Sequence, residues 1–253
     1  MAYQRAYFPM KVINVSQGYG IASTSHKLSY ALDLSGKDSG ADEVYAPFDC
    51  KITKLYQPSD TRKHANTVWL TSTEKVLSPN GYYGYLTISI THPAEITNMK
   101  LGRVYKQGEF LCHEGKTGNA SGNHIHLEVS KGTSAGWSLK KSGIYEEYVT
   151  FNKVKPEEYL FARDDAIIRN SIYKGYKYRF IKEKDITYKV EDVPSLPLNV
   201  HTSADYRSDT IIKNKGLKNG DEVIRFYIKN GLAYIYHYEI MGYIANKYLK
   251  KVN

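Results

Sequence analysis

Apolar residues in this chain come in short runs that alternate with polar ones, a two-residue period that predicts strands rather than helices. Strand-like segments cover Val44 to Tyr45 ahead of Ala46-Pro47, Lys51 to Tyr56, Thr67 to Leu70, Tyr85 to His92, and His124 to Val129. Together the stretch from about Met10 to Val129 reads as one β domain. It closes at Lys155-Pro156-Glu157-Glu158-Tyr159-Leu160, where a proline opens a short helix and two acids favour its N-terminus. Residues 161 to 195 are charged and tyrosine-rich with weak alternation, and Pro194 and Pro197 precede the next patterned stretch. This segment is predicted to be a linker with room for one strand of its own. Short strands return at Leu198 and Val200, Val223 to Ile228, Tyr234 to Tyr236, and Gly242 to Ile244, with Gly216, Gly220 and Gly231 between them. The prediction is a mainly β protein: an antiparallel sheet domain over residues 1 to 160, a linker over 161 to 195, and a small β-barrel over 196 to 253.

Composition adds bounds to this picture. At 253 residues and 42% hydrophobic content, the chain is long enough for one large core or two small ones. No run approaches the roughly 18 consecutive apolar residues of a membrane-spanning helix. The opening MAYQRAYFPMKVINVSQGYG lacks the apolar core and small-residue cleavage site of a secretory signal, so the expectation is synthesis in the cytoplasm without unaided export. Cys50 and Cys112 lie in separate strand-like segments and read as buried thiols. The net charge of +9 is uneven: residues 1 to 160 carry 18 basic against 15 acidic side chains, the remainder 17 against 11. A basic C-terminal part suits a polyanion, whether nucleic acid, an anionic lipid face or anionic wall polymers; charge alone does not choose among them, and a merely soluble basic face is the commonest case. No nucleic-acid recognition motif accompanies the charge, and no nucleic-acid partner is expected.

The strongest chemical signal is Asn123-His124-Ile125-His126-Leu127-Glu128-Val129. Strict alternation sends His124, His126 and Glu128 to one face of a strand and the three aliphatic residues to the other. Two imidazoles on one rigid face suit a metal, although a His-x-His pair also arises by chance. A catalytic zinc takes three protein ligands and leaves a place for water, so further donors are needed. Asp33 is the one charged residue between Leu32 and Leu34, where a carboxylate wants a cation, either a metal or a basic partner. His26 lies seven residues earlier, an odd spacing, so it must reach any shared ion from a loop. His92 ends a run with Leu86, Ile88 and Ile90 and is followed by a proline. His64, His113, His201 and His237 have no comparable setting and read as ordinary.

These residues resemble the lysostaphin and LytM type of zinc endopeptidase. The likeness runs through Ser16-Gln17-Gly18-Tyr19-Gly20, Ser25-His26, Tyr30-Ala31-Leu32-Asp33, Tyr45-Ala46-Pro47 and Glu114-Gly115-Lys116-Thr117-Gly118-Asn119, and ends in His124-Ile125-His126, covering about residues 10 to 160. It implies an antiparallel sheet lining a groove, with Zn2+ on the floor held by His26, Asp33 and His126. It also implies a catalytic His124 and a further active-site histidine, His92. On that basis His124 is the general base and His92 the donor that stabilises the tetrahedral oxyanion, two roles that can be exchanged. Many members of the family separate the first histidine and the aspartate by four residues; seven resembles a phage-like branch. Leu198-Asn199-Val200, Leu217 to Val223, Gly242-Tyr243-Ile244 and Tyr248-Leu249 resemble a bacterial SH3-like domain, whose usual role is to bind the cell wall. Gly231-Leu232-Ala233-Tyr234 stands where a Gly-Trp pair is common. The resemblance implies a zinc-dependent endopeptidase that cuts peptide bonds of bacterial peptidoglycan, in the setting of a phage or prophage endolysin released to the wall or carried on a tail. The competing reading is a non-catalytic phage-tail or wall-binding protein built on a degenerate peptidase fold.

Overall fold

A computed structural model describes residues 3–20, 23, 25–37, 40–62, 64–195, 197–238 and 240–252, and for Ser208 the backbone alone. The chain is mainly β, as its alternation predicts, and it divides into two compact units. One consists of Gln4–Ser78 and Tyr83–Phe180; the other of Met1–Tyr3, Pro79–Tyr82 and Ile181–Asn253. Among the described residues no helix is long and apolar enough to cross a membrane.

The larger unit is organised by a nine-stranded sheet. Its path among the described residues runs Val104–Tyr105, Cys50–Tyr56, Thr67–Ser72, Leu86–Thr91, Ile125–Lys131, Leu32–Ser35, Val12–Gln17 and Ile167–Asn170, with Lys153–Val154 pairing off this path. Every pairing along the path is antiparallel except the last. Alternation gives the central strands two unlike faces. On one, Val68 and Leu70 meet Ile90 and Ile88, which meet Leu127 and Val129 in turn, and all six are buried. The other face carries hydroxyls: Thr71 bonds Thr53 at 2.8 Å and Thr87 at 2.9 Å, and Thr67 bonds Thr91 at 3.1 Å. Cross-strand threonine pairs satisfy one another and so can be buried cheaply. His126 and Glu128 belong to this polar face, opposite Thr91 and Ser89.

The short helix Pro156–Tyr159 forms where expected, with proline at its start. Cys50 and Cys112 are free and buried, and burial pushes both thiols up to about 12.

The segment 161 to 195, expected as a linker, is instead divided between the units. Phe161 bridges Tyr7, Ile167–Asn170 adds a parallel strand to Val12–Gln17, and Phe161, Ala162, Tyr178 and Phe180 are buried in the larger unit. From Ile181 the chain enters the smaller unit, where Thr187–Val190 pairs with both Glu222–Lys229 and Leu249–Lys251. Weak alternation hid this because single buried aromatics, not a periodic stripe, anchor the segment. Among the described residues the smaller unit carries a seven-stranded sheet in the order Ile211–Leu217, Leu198–His201, Ile240–Ala245, Leu232–His237, Glu222–Lys229, Thr187–Val190, Leu249–Lys251. Val200, Leu217, Leu232, Ala233, Ile235 and Ile244 fill its core.

Burial of a large apolar side chain contributes about 1.5–3 kcal/mol, and 1 kcal/mol moves the melting temperature of a domain this size by about 2–4 °C. A piece comprising residues 1–160 should therefore melt roughly 10 °C or more below residues 1–180. Equal melting temperatures by circular dichroism would show that residues 161–180 are the spacer expected from the sequence.

Candidate metal and catalytic site

The antiparallel register sets His126 directly opposite Asp33, and Ile125 and Leu127 opposite Leu34 and Leu32. The aliphatic pairs lie in the core, which leaves the histidine and the aspartate side by side on the polar face. His126 Nδ1 donates to Asp33 Oδ1 at 3.1 Å. His26 comes from the loop between Val12–Gln17 and Leu32–Ser35, and its Nε2 lies 3.5 Å from the same Asp33 oxygen. Asp33 and His26 are only 8% and 4% exposed. The donor atoms of His26, Asp33 and His126 all lie within 4.8 Å of one another.

This donor set fits a divalent cation. Bonds of 2.0–2.1 Å in tetrahedral geometry put ligand atoms about 3.3 Å apart, and the two separations from Asp33 bracket that value. Two imidazoles and one carboxylate are the borderline-to-hard donors that zinc accepts.

His124 sits one residue before the Ile125–Lys131 strand, in an isolated bridge to Gly115. Its Nε2 is 3.8 Å from Asp33 Oδ2, and its Nδ1 is 2.9 Å from the Gly122 carbonyl. His92 follows the Leu86–Thr91 strand in a left-handed conformation, φ 75°, which is unfavourable for a residue other than glycine. Its backbone N–H donates to Asn66 O at 3.0 Å, and its Nδ1 lies 2.6 Å from the Thr117 carbonyl. The His92 ring is 4.7 Å from that of His124 and 6.2 Å from that of His126. Five residues singled out from the sequence thus meet in one place. By contrast, His113 pairs with Glu95, His201 with Thr210, and His237 with the Glu222 carbonyl.

A carbonyl only accepts, so Nδ1 carries the proton in both His92 and His124, and each neutral ring has a lone pair at Nε2. Burial pushes His92 down to about 4, so it is neutral at pH 7. The donor role expected for His92 conflicts with this tautomer: in its neutral form Nε2 accepts. Burial, assisted by His126, holds His26 at about 3, as suits a ligand that must be unprotonated. Burial also opposes the charge on His126, but the Asp33 hydrogen bond and the Glu128 carboxylate outweigh it and raise it to about 10. Asp33 goes the other way: burial disfavours its anion, and the His126 hydrogen bond with the other imidazoles overcomes this and lowers its pKa.

Two groups were left without a role by the sequence reading. Glu128, 2% exposed, accepts from Thr150 N at 3.0 Å and turns its other oxygen to 3.9 Å from His126 Nε2. Alternation had placed it on the right face, but nothing local marked it as facing the ring. The Thr117 carbonyl reaches His92 because the preceding turn runs close to Ala94: a Cβ at Gly115 would lie 2.5 Å from Ala94 N.

No family model matches the chain. A curated relative, Morphogenesis protein 1 of Bacillus phage B103, is 36% identical over 138 residues, which are 54% of this chain and 35% of that protein. The chain therefore spans about a third of this relative's length. Among solved structures, the antimicrobial peptidase lysostaphin from Staphylococcus simulans aligns with a TM-score of 0.39 at 15% identity, over 95% of this chain and 92% of that one. A zinc containing peptidase from Vibrio cholerae aligns with a TM-score of 0.35 at 18% identity, over 51% of this chain and 36% of that one.

The depressed pKa of His92 has a signed consequence in metal-stripped protein. Its unfolded form, with an ordinary pKa near 6.5, takes up a proton before the folded form does, so stability falls as pH drops from about 6.5 through about 4. Urea midpoints of the His92→Asn variant should fall less between pH 7 and pH 4 than those of the parent. Parallel declines would mean that His92 is not held neutral.

Proposed function

We propose that the chain is a zinc-dependent endopeptidase that hydrolyses peptide bonds of bacterial peptidoglycan in a bacteriophage setting. The observation that carries this reading is the convergence of His26, Asp33 and His126 within 4.8 Å, with two further histidines beside them. A degenerate, purely adhesive domain has no need of all five. The phage relative supports the setting, through the half of the chain that it matches.

In this reading His26, Asp33 and His126 hold the zinc, and when bound it supplies Lewis acidity that acidifies water and polarises the scissile carbonyl. His124 takes the proton of the attacking water on Nε2, the atom left free by the Gly122 carbonyl. The resulting imidazolium lies near Asp33 Oδ2, which stabilises the charge until the proton passes to the leaving amine. His92, fixed by Thr117, accepts at Nε2 and orients the water. Glu128 holds the far side of the His126 ring, as carboxylates commonly do behind a metal-bound imidazole.

The unit beginning at Ile181 is assigned the role of an SH3-like wall-binding module. Tethering to the wall raises the effective concentration of the cutting domain at its substrate, and the basic balance of this part of the chain favours anionic wall polymers. In this setting the enzyme would reach the wall through phage-type release or on a virion.

Digestion of purified peptidoglycan, followed by mass analysis, tests the function. New amino termini that disappear with a chelator are the expected result; new reducing sugar ends would instead identify a glycosidase. The His124→Ala variant should bind zinc at the parent's stoichiometry while losing about two to four decades in rate. Undiminished turnover would remove His124 from the mechanism.

A further inference from the structure

His26 is the one proposed ligand that no strand holds. It stands in the connection between Val12–Gln17 and Leu32–Ser35, seven positions before Asp33, and its place depends on the contacts that the described residues of that turn make. Within it, Gly20 N donates to the His26 carbonyl at 2.9 Å and His26 N to Ser23 Oγ at 3.1 Å, so Gly20, Ser23 and His26 are bonded to one another. Gln17 Nε2, at the end of the Val12–Gln17 strand, ties the middle of the turn to the sheet by donating to Ser25 Oγ at 2.5 Å and to Ser23 Oγ at 3.4 Å.

Two further groups hold the backbone at its ends, and the Tyr19 hydroxyl also donates to Glu157 Oε1. At the first end, Tyr178 Oη accepts from Tyr19 N at 3.1 Å and lies 3.4 Å from the Tyr19 carbonyl, to which it donates. The two rings meet edge to face at 5.3 Å. Gly18 is packed so tightly here that a Cβ would come within 1.9 Å of Tyr178 Oη. Tyr178 is itself buried, with its N–H on the Ser171 carbonyl, and Asn170 Nδ2 donates to the Val15 carbonyl at 2.7 Å. At the other end, Glu147 Oε2 accepts from Leu28 N at 2.7 Å, and Lys27 Nζ sits 3.8 Å above the Tyr145 ring. Glu147 and Tyr145 belong to the hairpin Trp137–Ser142 and Tyr145–Thr150, which is not part of the main sheet.

We infer that Tyr178 and Glu147 form a two-point clamp that holds the His26 turn in ligating position, which makes both of them positioning residues of the proposed zinc site. The inference rests on the zinc reading above. It gives the segment expected as a linker a part in the active site, and it accounts for a seven-residue spacing: a long turn delivers a ligand accurately only when both of its ends are held.

The test is zinc affinity of the full chain, measured by competition with a chromophoric chelator well below the melting temperature of each variant. Losing one backbone-directed hydrogen bond corresponds to about a 3- to 10-fold change. Tyr178→Phe, which keeps the ring, and Glu147→Ala should each weaken zinc binding by about that factor, while Glu147→Gln, which keeps an acceptor oxygen, should stay within about twofold of the parent. Excess zinc should restore the digestion rate of the weakened variants without changing KM. Parent-like zinc affinity in both Tyr178→Phe and Glu147→Ala overturns the clamp, even if their melting temperatures fall. If Tyr178→Phe proves too unstable to measure, equal affinities in Glu147→Ala and Glu147→Gln overturn it alone. A parent chain that takes up no zinc removes the zinc reading and the clamp with it.

Discussion

The site depends on one cross-strand pair. Asp33 and His126 are register partners at the centre of a sheet, and the residues beside each of them are aliphatic and buried. A one-residue slip of the Leu32–Ser35 strand would turn Asp33 into the core and Leu32 and Leu34 out of it, at a cost on the order of several kcal/mol for the unpaired charge alone. The hydrophobic face therefore fixes the position of the polar one. The Asp33 carboxylate is buried among three imidazoles and is kept ionised by the His126 hydrogen bond, and the proposed zinc is a cation that it would share with His26 and His126.

Around that pair, the remaining groups are held by backbone carbonyls rather than by charge. Gly122 and Thr117 orient His124 and His92 through Nδ1 and leave Nε2 of each ring able to take a proton. Burial keeps His92 neutral, so the two rings that stand 4.7 Å apart do not repel. The left-handed backbone at His92 is the local strain that this placement requires.

Much of this was legible in the sequence because it follows a period of two. The strands carrying Asp33 and His126, and the strand that ends before His92, lie close to where alternation put them. Three features escaped it. The His26 turn has no period, so only its approach from a loop could be anticipated. Residues 161–180 are anchored by isolated aromatics such as Phe161 and Tyr178, which a pattern search reads as linker. The donor role expected for His92 was set aside by a carbonyl at Thr117, twenty-five residues away, which no local motif discloses. Contacts between distant segments decide such details, and they become visible only in three dimensions.

The central claim is that His26, Asp33 and His126 bind one ion together. Anomalous diffraction at the zinc absorption edge, from crystals grown with zinc, addresses it directly. The account requires a single strong peak about 2.0–2.2 Å from a nitrogen of each histidine and an oxygen of Asp33. A peak elsewhere on the chain, with these three side chains bound to no ion, would contradict it.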